Sequence, residues 1–216
     1  MPKSQYMDPN VLRAPGFVEL QNIPVNQYNK TIKQEKKNFS NEDFVRIYRD
    51  MAIIREFETM LYAIKTTSEY NGVSYNNPGP AHLSMGQEAS SVGQAYLLGK
   101  DDYIFGSHRS HGEILAKGLS AIEKLSDKEL MDAMTGFFDG ATYKVIEGKQ
   151  NDVNNVKEVA TDFLLYGAMA EIFARTTGFN KGLGGSMHAF FIPFGLMPNN
   201  AIVGGSATVA AGAALF

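Results

Sequence analysis

The sequence predicts an α/β layer fold with a parallel sheet. Three observations carry that expectation. Phe44, Ile47, Tyr48, Met51, Ile54, Phe57, Met60, Leu61 and Ile64 recur at three-and-four spacing, as on one face of an amphipathic helix. Tyr103, Ile104 and Phe105 form a short apolar run after Asp101 and Asp102, and Ala201, Ile202 and Val203 form another after Asn199 and Asn200. Each run leads within a few residues into a further helix. Helices separated by short apolar strands pack as layers on a sheet.

Residues 1–39 are polar and irregular, with Pro2, Pro9, Pro15 and Pro24, and read as an extended arm over the surface or a neighbouring subunit. The domain proper spans 40–216. Ser40 and Asp43 make a capping box that starts the helix over 44–65. Residues 66–80 are a loop that ends in Asn76, Asn77, Pro78, Gly79 and Pro80. A second helix is expected over 86–98. Ser110 and Glu113 form another capping box, starting a helix that Gly118 should stop near Lys117. Ser120 with Glu123, and Ser126 with Glu129, mark further starts. Residues 140–156 read as a mobile polar excursion, and 156–176 as a helix. Met51, Met60, Met131 and Met134 have core spacing. The final run of small apolar residues, 207–216, reads as a buried helix cut partway, so the polypeptide is expected to continue.

Composition narrows the function. The 216 residues suffice for one sizeable core, and 44% hydrophobic content is ordinary. A net charge of −3 gives no electrostatic case for nucleic acid. The absence of cysteine excludes disulfides and thiolate metal sites. No apolar stretch approaches the ~18 residues of a membrane span, and the N-terminus lacks signal-peptide order. A cytoplasmic location is the expectation.

The chemistry concentrates in the histidines. His82, His108 and His111 fall within thirty residues, and His188 ends the glycine-rich run from Gly182. At 107–113 a strand turns into a helix start, whose backbone N–H groups favour an anion. Arg109 adds a permanent charge with a fork that fits phosphate oxygens. His108 or His111 can add a donor near neutral pH. The end of a parallel strand is where α/β folds bind ligands. A surface helix start carrying His and Arg by chance is the alternative. His82 follows the rigid turn ending at Pro80, as a positioned imidazole would, although its spacing alone favours a solvent-facing or capping histidine. The run 178–188 is neither a Walker loop nor a dinucleotide fingerprint, but its backbone must approach something closely.

Four motifs then occur in order: Pro80, His82, Gly86, Gln87 and Glu88; Gly106, His108, Arg109, His111 and Gly112; Gly178, Lys181, Gly182, Gly184, Gly185, Ser186, Met187 and His188; and Asn200, Ala201, Val203 and Gly204. Together they resemble the alpha part of the thiamine-diphosphate-dependent 2-oxo acid dehydrogenases, such as those for pyruvate, branched-chain oxo acids or acetoin, over about 44–120 and 160–216. The resemblance implies a helix-rich three-layer thiamine-diphosphate-binding fold, truncated here at its C-terminal side. It implies decarboxylation of a 2-oxo acid and transfer of the acyl group to lipoyl. His82 would stand near the reacting centre. His108 and Arg109 would contact the diphosphate, and Ala201 and Val203 the cofactor ring. His111, Ser186 and His188 would support or order the site. The implied partners are a beta part, a lipoyl acyltransferase and further copies of the chain.

The chain departs from that family in three places. A tyrosine is usual where His108 stands. Residues 121–159 exceed the usual link. The Gly-Asp-Gly segment that holds magnesium is absent, so the metal ligands are expected beyond residue 216 and no metal site in this chain. A non-catalytic assembly or regulatory module that retains the fold is the alternative function, and an unrelated phosphate-binding domain a more distant one.

Overall fold

A computed structural model describes residues 8–17, 22–77, 79–147, 149 and 155–215. Along the arm, two four-residue helices form, α1 (Pro9–Leu12) and α2 (Ile32–Glu35). The side chains of Phe17, Ile23, Val25 and Tyr28 there are exposed.

Helix α3 (Asn41–Thr67) starts at the predicted box: the Asp43 amide donates to Ser40 Oγ at 3.1 Å, and the Ser40 amide to Asp43 Oδ2 at 2.8 Å. It buries Ile54, Phe57, Leu61 and Ile64, and with them two carboxylates, Asp50 and Glu58. Residues 69–74, expected as loop, form a hairpin of β1 (Glu69–Tyr70) and β2 (Val73–Ser74). Asn71 and Gly72 both have positive φ, as the tight hairpin turn demands.

Helix α4 (Glu88–Ala95) leads to β3 (Ile104–Phe105) and the central helix α5 (His111–Lys124). Eleven of the fourteen α5 residues are buried, so this helix is the hub of the core. Gly118 does not stop it. A Cβ at Gly118 would lie 2.5 Å from Leu164 Cδ2, so the glycine serves close helix packing instead. Ser120 starts no helix either: within α5, its hydroxyl donates to the carbonyls of Tyr96 and Leu98. The Ser110 side chain makes no cap bond: its Oγ accepts the Asn199 amide group, and the Glu113 carboxylate turns to the amide and hydroxyl of Ser107.

Helix α6 (Asp127–Gly136) does begin at the predicted Ser126–Glu129 box. The excursion expected over 140–156 contains α7 (Tyr143–Ile146), with Ile146 buried; residues 148 and 150–154 lie outside the described residues. Helix α8 (Val156–Ile172) packs on α5 and α6. Phe163 on α8 meets Phe179 and Phe191 at ring separations of 5.6 and 5.4 Å, fastening α8 to the glycine-rich segment. Met134 is fully buried, and Met51, Met60 and Met131 pack partly buried against the same core.

Strand β4 (Leu196–Met197) pairs in parallel with β3, Ile104 opposite Leu196 and Phe105 opposite Met197. The predicted parallel pairing is present, but its second strand is 196–197 and not 201–203. Residues 201–203 instead form a turn whose Ile202 amide donates to Asn200 Oδ1 at 2.9 Å. The register is set upstream, where a short 3-10 turn (Ile192–Phe194) closes at Gly195 and the Ile104 amide donates to the Gly195 carbonyl. Helix α9 (Gly205–Leu215) was expected to be buried, but none of its residues is. It lies against β3, outside the aromatic core, held by Ser206 Oγ donating to the Gly106 carbonyl at 2.6 Å.

Candidate active site

The tertiary structure brings two of the four histidines to one hydroxyl, His82 through its backbone amide and His111 through its ring. Ser186 is buried, and its Oγ accepts the His82 amide at 2.9 Å. The same oxygen lies 2.9 Å from His111 Nε2, with the Ser186 carbonyl at 3.1 Å. On the other side of the ring, His111 Nδ1 is 3.0 Å from Glu58 Oε1. The second Glu58 oxygen accepts the Ser84 amide at 2.8 Å. Glu58 is fully buried, and its links to His111 and Ser84 are shielded from water. The sequence reading missed Glu58, because a glutamate amid the apolar face of a 27-residue helix looks like any surface residue until α5 is packed onto it.

His82 is half-buried, and its ring stands edge-on to His108 at 6.2 Å. Its Nδ1 is buried and has no partner. Burial lowers its pKa from the ordinary imidazole value, and the neighbouring His108, His111 and Arg109 charges push the same way. The ring is therefore neutral at pH 7 and presents an unsatisfied nitrogen. Arg109 is exposed; one guanidinium nitrogen donates to the Leu83 carbonyl at 2.9 Å. A guanidinium carries five N–H donors, so the fork keeps capacity for an anion.

The start of α5 is less open than its sequence suggests. The Gly112 amide donates to Ser84 Oγ at 2.9 Å, and Ser110 is buried. His111 faces inward as well, with its ring nitrogens turned to Glu58 and Ser186 and not to the surface. His188 Nδ1 lies 3.1 Å from the Asn199 carbonyl, and the Asn199 amide group donates to Ser110 Oγ and the Ser107 carbonyl. Asn199 therefore ties the fourth histidine to the turn that carries His108. Ala201 is half-buried and Val203 exposed; Asn199, Asn200 and Ser206 are the residues that join their segment to the cluster.

The glycine-rich run approaches a carboxylate of the protein itself. Glu171, fully buried on α8, accepts the amides of Asn180 and Gly182 on one oxygen and Gly184 on the other, at 2.7, 2.9 and 2.6 Å. Gly182 has φ +77, and a Cβ there would sit 2.4 Å from the Ala174 carbonyl carbon. The loop is a nest of backbone donors closed on an internal anion. It ends at Ser186 and His188, so the nest delivers both to the cluster.

Arg109 and His108 are neighbours on the turn before α5, and a guanidinium with an imidazole beside it is a donor set compatible with the anionic end of a diphosphate cofactor. It does not fit a metal. Among the described residues, no group of three His, Asp or Glu side chains is placed to hold an ion. No helix among them is long and apolar enough to cross a membrane.

Residues 58–159 match the family model of the dehydrogenase E1 component. The chain is 31% identical over 186 residues to the alpha subunit of acetoin:2,6-dichlorophenolindophenol oxidoreductase from Bacillus subtilis, covering 86% of this chain and 40% of that protein. It is 28% identical over 176 residues to the pyruvate dehydrogenase E1 alpha subunit of Rhizobium meliloti, covering 82% and 36%. The chloroplastic pyruvate dehydrogenase E1 alpha-3 subunit of Oryza sativa is 29% identical over 175 residues, covering 81% and 29%. The chain thus spans at most about two fifths of the length of these relatives. No solved structure matches it. Residues 58–159, from Glu58 through α5 to the start of α8, are thus similar to the dehydrogenase E1 component, and most of the chain is similar to alpha subunits that carry that name or act on acetoin.

Proposed function

We propose that the chain forms the N-terminal portion of the alpha side of a thiamine-diphosphate-dependent 2-oxo acid dehydrogenase, within the three-layer cofactor-binding fold of that family. Convergence on Ser186 of the His82 amide and the His111–Glu58 pair is the observation that carries this reading. It places a neutral imidazole with a free, buried nitrogen beside a cationic fork.

When bound, thiamine diphosphate supplies the carbanion chemistry that releases carbon dioxide from a 2-oxo acid. The chain's own residues bind and orient. Arg109 and His108 would hold its diphosphate by charge-assisted hydrogen bonds. The half-buried His82 ring would stand beside the substrate, and its lowered pKa lets it accept a proton without carrying a standing charge. Ala201 and Val203 would contact the cofactor ring. Any magnesium would take its ligands from outside the described residues. A beta subunit completes the site, a lipoyl acyltransferase receives the acyl group, and the assembly contains more than one copy in the cytoplasm; that the relatives are alpha subunits supports the first of these.

The test is turnover. The polypeptide that carries these residues, assembled with its beta subunit and given thiamine diphosphate and magnesium, is expected to release carbon dioxide from pyruvate or a branched-chain oxo acid. His82→Ala should reduce that rate at least a hundredfold. No release from any 2-oxo acid would overturn the proposal in favour of an assembly role.

A further inference from the structure

We propose that Glu58 is the positioning residue of His82, acting through two hydrogen-bond routes that only a carboxylate can serve together. The proposal rests on His82 lying at the reacting centre, as argued above, but its structural half stands apart from that reading.

A carboxylate oxygen only accepts, so the 3.0 Å approach of Glu58 Oε1 places a proton on His111 Nδ1. That fixes which edge of the ring faces Glu58 and turns Nε2 to Ser186. The Ser186 hydroxyl oxygen in turn accepts the His82 amide. The second route is shorter: Glu58 Oε2 accepts the Ser84 amide, and Ser84 Oγ accepts the Gly112 amide. Residues 82 and 84 are thus held at both ends of one short segment, and both holds trace to a single buried side chain on α3. Phe57 packs edge-on to the His111 ring at 6.4 Å and limits its tilt.

Both neighbours of Glu58 donate, and glutamine cannot satisfy them. Its amide has one oxygen, so either His111 Nδ1–H or the Ser84 N–H would face another donor. Glu58→Gln is nearly isosteric and should therefore disturb the hydrogen-bond direction more than the packing.

In the 216-residue chain, nitrogen-15 spectra should show His111 Nδ1 protonated. In Glu58→Gln that proton should be lost or redistributed, and exchange of the His82 amide should quicken about tenfold. Should Glu58→Gln fail to fold, Ser186→Ala serves: it keeps the Glu58–His111 pair, and should leave Nδ1 protonated while still speeding His82 exchange. In the assembled enzyme, Glu58→Gln should lower kcat about tenfold or more with little change in the KM for cofactor, and Glu58→Asp should restore part of it. A bare Nδ1 in the wild type, or unchanged His82 exchange in both variants, overturns the proposal. So does an unchanged kcat in an enzyme that turns over. If the wild-type assembly shows no turnover, the functional reading fails, and the two spectroscopic results alone decide whether Glu58 positions His82.

Discussion

The Glu171 carboxylate accepts the Gly184 amide at 2.6 Å, with two further loop amides on its other oxygen. The loop that ends at Ser186 is therefore built around the protein's own anion. Removing the charge should loosen it. Glu171→Gln is expected to cost about 1.5–3 kcal/mol, and Glu171→Ala, which strands three buried amides, more. Urea denaturation at neutral pH measures both; a loss below about 0.5 kcal/mol would show that the loop holds itself.

Two helical glycines should respond to alanine with opposite signs. At Gly118 the new methyl would meet Leu164 at 2.5 Å, and the α5–α8 contact would have to part, for a loss of about 1–3 kcal/mol. Nothing lies within 4 Å of a Cβ at Gly93 in α4, so Gly93→Ala should gain about 1 kcal/mol from helix propensity. Thermal melts of the two variants check the pair.

Lys117 is fully buried and donates to the carbonyls of Gly99 and Phe194. Burial lowers its pKa to about 8. The unfolded chain then binds this proton more tightly than the folded one. The penalty is complete below pH 8 and disappears as pH rises from about 8 to 10.5, so this residue adds stability over that window, by up to roughly 3 kcal/mol. Lys117→Met removes that rise. The difference in urea midpoint between wild type and variant, followed from pH 7 to 10, should grow with pH; a flat difference would refute the assignment.

Glu88 shows the reverse linkage. Two hydrogen bonds from Arg55, at 2.7 and 2.9 Å, lead the causes that hold its pKa at about 2. Its contribution is present above pH 4.5 and is lost as pH falls towards 2. Arg55 is more than half exposed, so solvent screening leaves about 1–2 kcal/mol. Glu88→Gln should be less stable than wild type at pH 6 and approach it at pH 2.5, as read by acid titration of the far-ultraviolet dichroism.

Cofactor affinity should be low for the chain by itself. No acidic cluster for a cation exists among the described residues, which leaves Arg109 and imidazoles to hold the diphosphate against an association cost of about 4–15 kcal/mol. Calorimetric titration with thiamine diphosphate and magnesium should show binding weaker than micromolar; micromolar affinity would contradict this.

Local signals determined much of this protein. The capping boxes at Ser40 and Ser126, the long helix between Phe44 and Lys65, and the strand at Ile104 are written in neighbouring residues, because caps and periodicity act within a few positions of the chain. The histidines, Arg109 and Ser186 were legible for the same reason: they sit in short motifs. What pairs across a hundred residues was not. Gly118 looks like a helix stop until Leu164 arrives from α8, and Ala201 to Val203 look like a strand until the turn at Gly195 sets Leu196 beside Ile104. Glu58 and Glu171 acquire their roles only when α5 and the glycine-rich loop close over them. A carboxylate's job depends on which donors folding brings to its two oxygens. The sequence alone therefore names the groups that could do chemistry, and tertiary structure decides which buried charges hold them in place.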